Sequence, residues 1–491
     1  MKVFKKRLFQ CFIFIAGVYL LLLIPDLPGN DPIIKANKKP FTWNKDHLWK
    51  QLENDFIKAS LLPAGELDSS INKLKLVAEG SFSYVRFADV AATDSSLIAL
   101  ENNFFALAPL IAVNKGSLQW YIDHYTRLRN FIKSRSQQWD MNDEATRAGF
   151  YTLLYGMRAA LEEVLLQADS MNIAPAMLVK NERSLTPVAK IFGIEVHSGD
   201  LLVSRGGAEV SALISRGNDY PGNFSHVALL YVEEKTNKAF LVEAHIEKGV
   251  AVSSVEQYEN DKKLRFMVMR PRADLAVMIK DPMLPHKAAK MIYEESLKRH
   301  IPYDFKMNFH DPRSMFCSEV GSYAYRMNGL LLWQPVSTIS SQGVVNWLHD
   351  FGVENFVTQM PSDLEYDPQL SVVAEWRDKE TLFKDHIDNA VMDAMLEQAN
   401  NGVSIHYNTW QLPVVRIIKG YCIIKNLFGK TGMIPEGMSA TRALKNQSFV
   451  AMHVKIKNRT RKMADEFIKQ YHYIPPYWQL VKLAAAAGKE K

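Results

Sequence analysis

The chain has 491 residues and a formal net charge of +6, and it contains 47% hydrophobic, 11% aromatic and 23% charged residues. This composition is typical of packed globular proteins, and it excludes a disordered or fibrous chain. A single hydrophobic core usually stops growing at roughly 250 to 300 residues, so the length predicts two or three folded units.

The N-terminus has the pattern of a membrane anchor. Four basic residues within the first seven positions precede an uncharged run over residues 8–24, which is just long enough to span a bilayer. Basic residues before the run and Asp26 after it predict a single-pass protein of the cell inner membrane, with a cytoplasmic N-terminus and the rest of the chain in the periplasm. A cleaved signal peptide is the alternative, but residues 24–29 contain no small-x-small cleavage site. We therefore predict an uncleaved transmembrane anchor over residues 1–25.

Residues 40–180 are predicted to form a helical domain. Apolar residues recur there at helical spacing, for example at Leu48, Leu52 and Phe56. The segment has few glycines, no cluster of metal-ligand residues and no phosphate-binding loop. A scaffold or a partner-binding domain is therefore its default interpretation.

Residues 185–365 have a different pattern, which predicts an α+β domain. Short apolar runs typical of strands come first, at residues 201–203, 226–232, 239–244 and 266–269. Two helices are predicted to follow, over residues 285–299 and 314–327. Strands followed by helices within one block of this length are typical of α+β folds.

The region from residue 370 to residue 491 is predicted to be helical, beginning at Val372, and it is basic. From Trp410 onward there are fifteen Lys or Arg residues against four Asp or Glu residues. The apolar and basic stretch 414–425 fits a helix that lies on anionic lipid headgroups, and it fits equally a buried helix with a solvated basic edge. Nucleic acid is a poor partner, because the predicted topology keeps this region outside the cytoplasm.

The three cysteines cannot form a disulfide framework, and no two of them form a Cys-x-x-Cys pair. An unpaired thiol in an exported domain is a liability, so Cys317 is either buried and inert or retained for its chemistry. Cys317 follows a loop marked by Asp311 and Pro312 and falls in the opening turn of a predicted helix. Unpaired N–H groups and the helix dipole favour a thiolate in such a turn, and they can bind an oxyanion.

His226 opens an apolar and therefore central strand, and a hairpin is predicted to bring an acid beside it. If residues 233–238 form the turn, His226 lies close to residues 243–245 of the next strand. Residues two apart on a strand share a face, so Glu243 or His245 can lie beside His226. Glu243 is the better candidate, because a carboxylate orients the imidazole and stabilises the imidazolium. The structural alternatives are a core or edge histidine and a cross-strand surface charge.

Five short motifs in this order resemble the permuted papain-like hydrolases of the YiiX/YaeF type; they are Gly199-Asp200-Leu201-Leu202, Phe224-Ser225-His226-Val227, Glu243-Ala244 with Gly249-Val250, Pro302-Tyr303-Asp304 and Phe316-Cys317-Ser318-Glu319. These hydrolases are circularly permuted relatives of the NlpC-type cell-wall peptidases, and they are related to lecithin retinol acyltransferases. The resemblance covers about residues 195–330. It implies a circularly permuted papain-like core with Cys317 as nucleophile, His226 as base and Glu243 as the orienting residue. Tyr303 and Asp304 would line the cleft or have structural roles, with Asp304 capping a turn.

The sequence thus predicts a membrane-anchored thiol hydrolase, an amidase or peptidase that works through an acyl-enzyme. The kinship with cell-wall peptidases favours a peptide amide as substrate, whereas the kinship with acyltransferases and the basic apolar tail favour an acyl lipid. A non-catalytic envelope scaffold is the alternative from another class. The chain has no His-Glu-x-x-His, Gly-x-Ser-x-Gly, paired metal-ligand cysteines or phosphate-binding glycine loop, so we expect no metal and no cofactor.

Overall fold

The computed structural model describes residues 2–26, 40–42, 46–168, 176–376 and 378–489. The described α-helices are α1 (Lys2–Leu22), α2 (Asp46–Ala59), α3 (Ala64–Val85), α4 (Ser95–Val113), α5 (Leu118–Arg135), α6 (Glu144–Gln167), α7 (Glu209–Arg216), α8 (Val255–Asn260), α9 (Ala276–Lys280), α10 (Leu284–Lys298), α11 (Cys317–Met327), α12 (Gln342–Phe351), α13 (Lys379–Asn400), α14 (Leu412–Leu427), α15 (Ala440–Tyr471) and α16 (Tyr477–Lys489). The described strands are β1 (Ala176–Leu178), β2 (Val188–Ile191), β3 (Ile194–His197), β4 (Leu201–Gly206), β5 (His226–Val232), β6 (Ala239–His245), β7 (Gly249–Ser254), β8 (Lys263–Pro271), β9 (Ser337–Thr338), β10 (Val357–Thr358) and β11 (Leu370–Trp376). Residues 27–29, which belong to the predicted junction after the anchor, lie outside the described residues.

Seven strands form an antiparallel sheet in the order β1-β11-β8-β4-β5-β6-β7. Successive side chains of a strand point to opposite faces. Val227 and Leu229 of β5 join the core beneath α10 and α11, whereas Ala228 and Leu230 pack towards the hairpin of β2 and β3. Both faces of β5 are therefore covered, which explains its apolar sequence and confirms its predicted central position.

Helices α2 to α6 pack around a hydrophobic core of their own. Leu97, Phe104 and Ile111 of α4 are fully buried in it. By length and composition α4 could cross a membrane, but 56% of its apolar window lies inside the protein, as in the core helix of a soluble domain. The apolar part of α1, Phe9–Leu22, is also a helix, but it is shorter than α4.

Residues 372–376 belong to strand β11, so the predicted start of a helix at Val372 is wrong. β11 pairs with β8 on one side and with β1 on the other. Its residues 370–375 are all buried, and the short apolar run at residues 372–374 fits a helix as well as a strand. The helix begins instead at Lys379, after its N-cap residue Asp378. The sheet therefore extends beyond both ends of the predicted unit 185–365.

Buried ion pairs join the sheet to the helices on either side of it. Arg265 of β8 binds Glu162 of α6, with 2.8 Å between Nη2 and Oε2, and it also binds Asp385 of α13. Arg129 of α5 binds Glu375 of β11 at 2.7 Å. Burial alone would lower the pKa of Arg265, but the charges of Asp385 and Glu162 outweigh it and hold that pKa above its usual range. Arg265 therefore remains charged and ties both helical regions to the sheet.

Candidate active site

Cys317 is the first residue of α11, and the chain directly before it is held by a neighbouring loop. Met315 forms a bridge with Tyr303. The Met315 N–H donates to the Pro302 carbonyl at 3.0 Å, and the Met315 carbonyl accepts from the Asp304 N–H at 3.1 Å. Cys317 itself is 5% exposed. This two-sided backbone pairing fixes where α11 begins, and with it the position of the thiol.

The start of α11 leaves backbone N–H groups for a ligand. Phe316 is the N-cap residue, with φ −98° and ψ 173°, and among the described residues no side chain caps this helix. The first N–H groups of a helix have no intrahelical partner, and the positive end of the helix dipole lies there. This geometry suits an oxyanion bound beside Cys317.

Two glycines of the family motifs are required by close contacts with the backbone. Gly249 has φ +72°, and a Cβ at this position would collide with the carbonyl oxygen of Ile301. Gly199 has φ +98°, and a Cβ there would collide with Pro285 at the start of α10. Gly249 thus lets β7 lie against the segment 301–304, which in turn pairs with the loop before the cysteine helix.

The strand register brings His226 and Glu243 together, as the predicted hairpin requires. Ala228 of β5 lies opposite Glu243 of β6, so His226 lies diagonally from Glu243 on the same face. Nε2 of His226 is 2.8 Å from Oε2 of Glu243. Nε2 of His245 is 3.3 Å from the other carboxylate oxygen. Both predicted neighbours of His226 therefore belong to this cluster, and Glu243 is the one hydrogen-bonded to it.

Cys317 joins the cluster from the helix side. Its thiol is close enough to His226 to contribute to the raised pKa of the imidazole. Its Sγ lies 3.8 Å from the carbonyl oxygen of Ser225. Because Nε2 of His226 faces Glu243, Nδ1 is the ring nitrogen left for the thiol. The His226 side chain is 23% exposed and the Glu243 side chain 5%, so a substrate can approach on the histidine side.

The cluster holds an imidazolium and a carboxylate at neutral pH. Burial opposes a charge on His226, but the interactions with Cys317 and Glu243 outweigh it and raise the pKa of His226 to about 10. Burial also opposes the Glu243 carboxylate, but hydrogen bonds from His226 and His245 hold the pKa of Glu243 well below its usual range. An imidazolium beside a thiol favours the thiolate, which is the nucleophilic form.

Tyr303 and Asp304 play different parts at the edge of the cluster. Burial and the charges of Cys317 and Asp304 raise the pKa of Tyr303 well above its usual range, so Tyr303 is a neutral phenol near the thiol. Asp304 caps a turn, because Oδ1 accepts from the Lys306 N–H at 2.8 Å and Oδ2 accepts from the Asn308 N–H at 2.6 Å. The turn-capping alternative for Asp304 is confirmed.

Glu319 is a buried acid to which the sequence analysis assigns no role. Its side chain is inaccessible to solvent, and neither carboxyl oxygen has a hydrogen-bond partner among the described residues. Burial and the charge of Asp304 raise the pKa of Glu319 to about 9, so this carboxyl is neutral at pH 7. The sequence signals for Glu319 are its place two residues after Cys317 and its membership of the motif Phe316-Cys317-Ser318-Glu319.

The cluster has the parts that thiol-dependent acyl transfer needs: a thiol, an imidazole beside it, an acid that orients the imidazole and N–H groups for an oxyanion. A cysteine helix packed on an antiparallel sheet that carries the histidine is the arrangement of papain-like cysteine hydrolases. No group of three or more His, Cys, Asp or Glu side chains in the described part of the chain is arranged to hold a metal ion.

Residues 195–374 match the family model of the permuted papain-like amidase enzymes, the YaeF/YiiX, C92 family, which indicates a cysteine hydrolase. The resemblance predicted from the motifs is thereby confirmed, and the match continues past residue 330 into β11. Among solved structures, this chain is similar to the crystal structure of the metalloprotein YiiX from Escherichia coli O157:H7, with 17% sequence identity and a TM-score of 0.28. That similarity covers 37% of this chain and 97% of the YiiX chain. No curated protein matches the chain.

Proposed function

We propose that this protein is a membrane-anchored, extracytoplasmic cysteine hydrolase that cleaves an amide through an acyl-enzyme. Cys317 is the nucleophile, His226 is the general base and acid, and Glu243 orients His226. The observation that carries this proposal is the 2.8 Å contact of His226 with the Glu243 carboxylate, next to the thiol at the start of α11, whose Sγ lies 3.8 Å from the carbonyl oxygen of the residue before His226.

The first half of the reaction acylates Cys317. The thiolate attacks the carbonyl carbon of the amide, a C–S bond forms, and the π electrons move to the carbonyl oxygen. N–H groups at the start of α11 bind that oxyanion. When the intermediate collapses, the C–N bond breaks and the leaving amine takes the proton from His226.

The second half returns the enzyme to its starting state. His226, now neutral, takes a proton from water as the water oxygen attacks the thioester carbonyl. Collapse of this intermediate breaks the C–S bond, releases the carboxylic acid and restores the thiolate and imidazolium. Glu243 holds the ring in one orientation throughout and stabilises its positive charge.

The proposal includes α1 as the anchor and α14 as a helix on the membrane surface. Tyr19 of α1 donates to the Trp410 carbonyl at 2.8 Å, and Arg416 of α14 donates to the Leu22 carbonyl at 3.0 Å. Only three of the sixteen residues of α14 are buried, which counts against a buried helix. The exposed apolar side chains of α14 and the residue after it include Ile417, Ile424, Leu427 and Phe428. An exposed apolar face interspersed with basic residues suits the headgroup boundary.

The position of α14 favours a substrate at the membrane surface. Lys419 of α14 donates to the Pro435 carbonyl at 2.7 Å, which fixes the segment that follows α14. In this segment, a Cβ on Gly437 would lie 2.7 Å from the ring of Phe305. The Phe305 ring in turn packs edge to face on Tyr303, with 5.1 Å between centroids. This chain of contacts connects α14 to the edge of the site, and it favours an acyl-lipid substrate as the second candidate.

Thiol labelling tests the proposed chemistry. Cys11 is exposed, so the experiment uses the Cys11→Ser, Cys422→Ser chain, in which Cys317 is the only thiol. We expect a thiol-reactive acyl probe to label this chain, and His226→Ala to slow the labelling. The matched control is the Cys11→Ser, Cys317→Ser chain, whose remaining Cys422 is 1% exposed and should stay unlabelled. Equal labelling of the two chains would overturn the assignment of Cys317.

Product analysis separates the two candidate substrates. Full-length protein in lipid nanodiscs is incubated with muropeptides and, separately, with phospholipids, and the products are measured by mass spectrometry. A shortened peptide stem that Cys317→Ala does not produce supports the amidase. A fatty acid released only by the wild type supports the lipid hydrolase instead.

A non-catalytic scaffold makes a different prediction for the same thiol. A thiol without a functional partner alkylates with the pH dependence of a free cysteine, and its rate does not depend on His226. The enzyme requires faster alkylation near neutral pH, with a rate that falls in His226→Ala. Equal rates in the wild type and this variant would favour the scaffold.

A further inference from the structure

A cavity lies away from the cysteine cluster. Its volume is about 630 Å³, and it opens where α2, α4 and α6 meet α13 and α16. This volume is within the range of small-molecule sites in proteins. None of Cys317, His226 and Glu243 lines it. Any ligand of this cavity is therefore bound by residues outside the proposed catalytic cluster.

The walls of the cavity are mainly apolar and rich in aromatic rings. Trp49 and Phe56 of α2, Tyr151 of α6 and Trp478 of α16 all line it. Aromatic walls bind apolar bodies by contact area, and the faces of the rings also attract cations. The walls thus suit a compact apolar group, and they tolerate a positive charge on it.

The inner surface carries four polar atoms without hydrogen-bond partners among the described residues. They are Oε2 of Glu163, Nδ1 of His386, Oδ1 of Asn389 and Nε1 of Trp478. His386 and Asn389 are 4% and 2% exposed. Buried polar atoms in folded proteins are nearly always paired, so these four atoms call for a bound group.

The second polar atom of Glu163, His386 and Asn389 is already hydrogen-bonded, and these bonds determine whether the free atom of each side chain is a donor or an acceptor. Oε1 of Glu163 accepts from the Tyr477 N–H at 2.8 Å. Nε2 of His386 lies 3.0 Å from an oxygen of Glu162, so Nε2 is the donor, and in that tautomer Nδ1 is an acceptor. The Asn389 amide nitrogen donates to Asp385 at 3.1 Å, which leaves its oxygen free. All three atoms are therefore acceptors.

The buried cations of the lining are already occupied. Arg216 binds Asp393 through Nε at 2.7 Å and through Nη2 at 2.8 Å. Arg265 also forms a bidentate ion pair, with Glu162. The exposed Lys482 lies over the Trp478 ring at 4.0 Å. The buried surface thus offers a ligand three acceptors, one of them a carboxyl oxygen, against one donor, the Trp478 N–H, and this pattern disfavours an anionic head.

We propose that this cavity binds an amine on an apolar, aromatic-sized body. The ammonium donates to Glu163, His386 and Asn389, and the apolar body packs against the aromatic walls. An ammonium group has three donors, which matches the three free acceptors. Burial raises the pKa of Glu163 to about 7, which is consistent with a carboxyl that lacks its partner.

The cavity also adjoins the loop that leads into β5. Pro221 and Asn223 line it, and Asn223 lies three residues before His226. Tyr151, from the cavity wall, donates to the Pro221 carbonyl at 2.5 Å. The cavity thus shares its wall with the loop that leads to the proposed catalytic histidine, although binding there does not require Cys317.

Isothermal titration calorimetry of the full-length protein with 2-phenylethylamine tests the proposal. We expect saturable binding that is at least about tenfold weaker for 3-phenylpropionate, which has a similar body and the opposite charge. Glu163→Gln should weaken amine binding about tenfold or more, because it removes the carboxyl that would pair with the ammonium. The matched control is Glu144→Gln, the same change at an exposed position of the same helix, and it should bind as the wild type does.

A second variant keeps the test independent of Glu163. Ala159 lines the cavity, and Ala159→Phe fills part of its volume, so amine binding should be lost while the far-UV circular dichroism spectrum stays native. Cys317→Ala should bind the amine as the wild type does, which separates this site from the proposed catalytic function. Equal amine binding by the wild type and Ala159→Phe, or tighter binding of 3-phenylpropionate than of the amine, would overturn the proposal.

Discussion

Replacement of Glu243 by Gln keeps the shape of the side chain and removes the charge that faces His226. A hydrogen bond to a charged group contributes roughly 1.5 to 3 kcal/mol. The 2.8 Å contact of Nε2 with a carboxylate that is 5% exposed is a bond of this kind. A free-energy difference of about 1.4 kcal/mol changes a population tenfold. We therefore expect the variant to stabilise the imidazolium about 10- to 100-fold less than the wild type does.

The assay is the second-order rate at which iodoacetamide alkylates the chain with Cys317 as its only thiol, measured from about pH 5 to pH 9. A weaker imidazolium leaves less thiolate, so the rate near pH 6 should fall about tenfold or more. His245→Gln is the matched control, because His245 binds the other oxygen at 3.3 Å and is 31% exposed, and its loss should change the rate less than about threefold. An unchanged rate in Glu243→Gln, with a native circular dichroism spectrum, would refute the role given to Glu243.

Three further predictions concern stability. In urea unfolding, Gly249→Ala should lower the free energy of unfolding by about 3 kcal/mol or more, because a collision with the backbone adds to the strain of a positive φ. The control Gly402→Ala, at φ +90° in open space, should lower it by only about 1 kcal/mol. Glu162→Gln should lower the free energy of unfolding by about 3 kcal/mol in the same assay, the low end of the cost of breaking a buried ion pair, because Arg265 still has Asp385 as a partner. Wild-type stability of this variant would show that the pair of Arg265 with Glu162 is dispensable. The pKa of His226 is raised from 6.5 to about 10, so its contribution to folding is complete below about pH 6.5 and disappears as the pH rises to about 10. The wild type should therefore lose more stability over that interval than His226→Ala does, and parallel curves would contradict the raised pKa.

The hairpin that positions Glu243 could be predicted from the sequence because its pairing is local. Residues 233–238 connect two adjacent strands, so the turn and the two-residue period together determine which side chains meet. Strand β11 could not be recognised in this way. Its partner β8 ends at Pro271, far earlier in the chain, and its own run is buried on both faces. Local periodicity contains no information about that pairing.

The cysteine cluster and the cavity also differ in whether a local sequence pattern reveals them. Cys317 and His226 are distant in sequence, but each lies at the first residue of a regular element, and the order of short motifs around them is a signal in itself. Glu163, His386 and Asn389 are single polar residues within long helices, where such residues normally face solvent. Only the packing of α6 against α13 brings them to one cavity, and no local pattern predicts that packing.

The helices before and after residues 195–374 help to hold the site in place, because a buried charge within these residues has its ion-pair partners outside them. The family match covers residues 195–374, which include Arg265, yet its two carboxylate partners Glu162 and Asp385 both lie outside that segment. In the other direction, Lys133 of α5 donates to the Glu365 carbonyl at 2.7 Å. A buried charge that loses its partner costs about 3 to 5 kcal/mol, which is comparable with the whole stability of many domains. The stability of the sheet that carries His226 therefore depends on the helices before and after it. The proposed ligand of the cavity would contact α6 and α13, the two helices that bind Arg265 of the sheet.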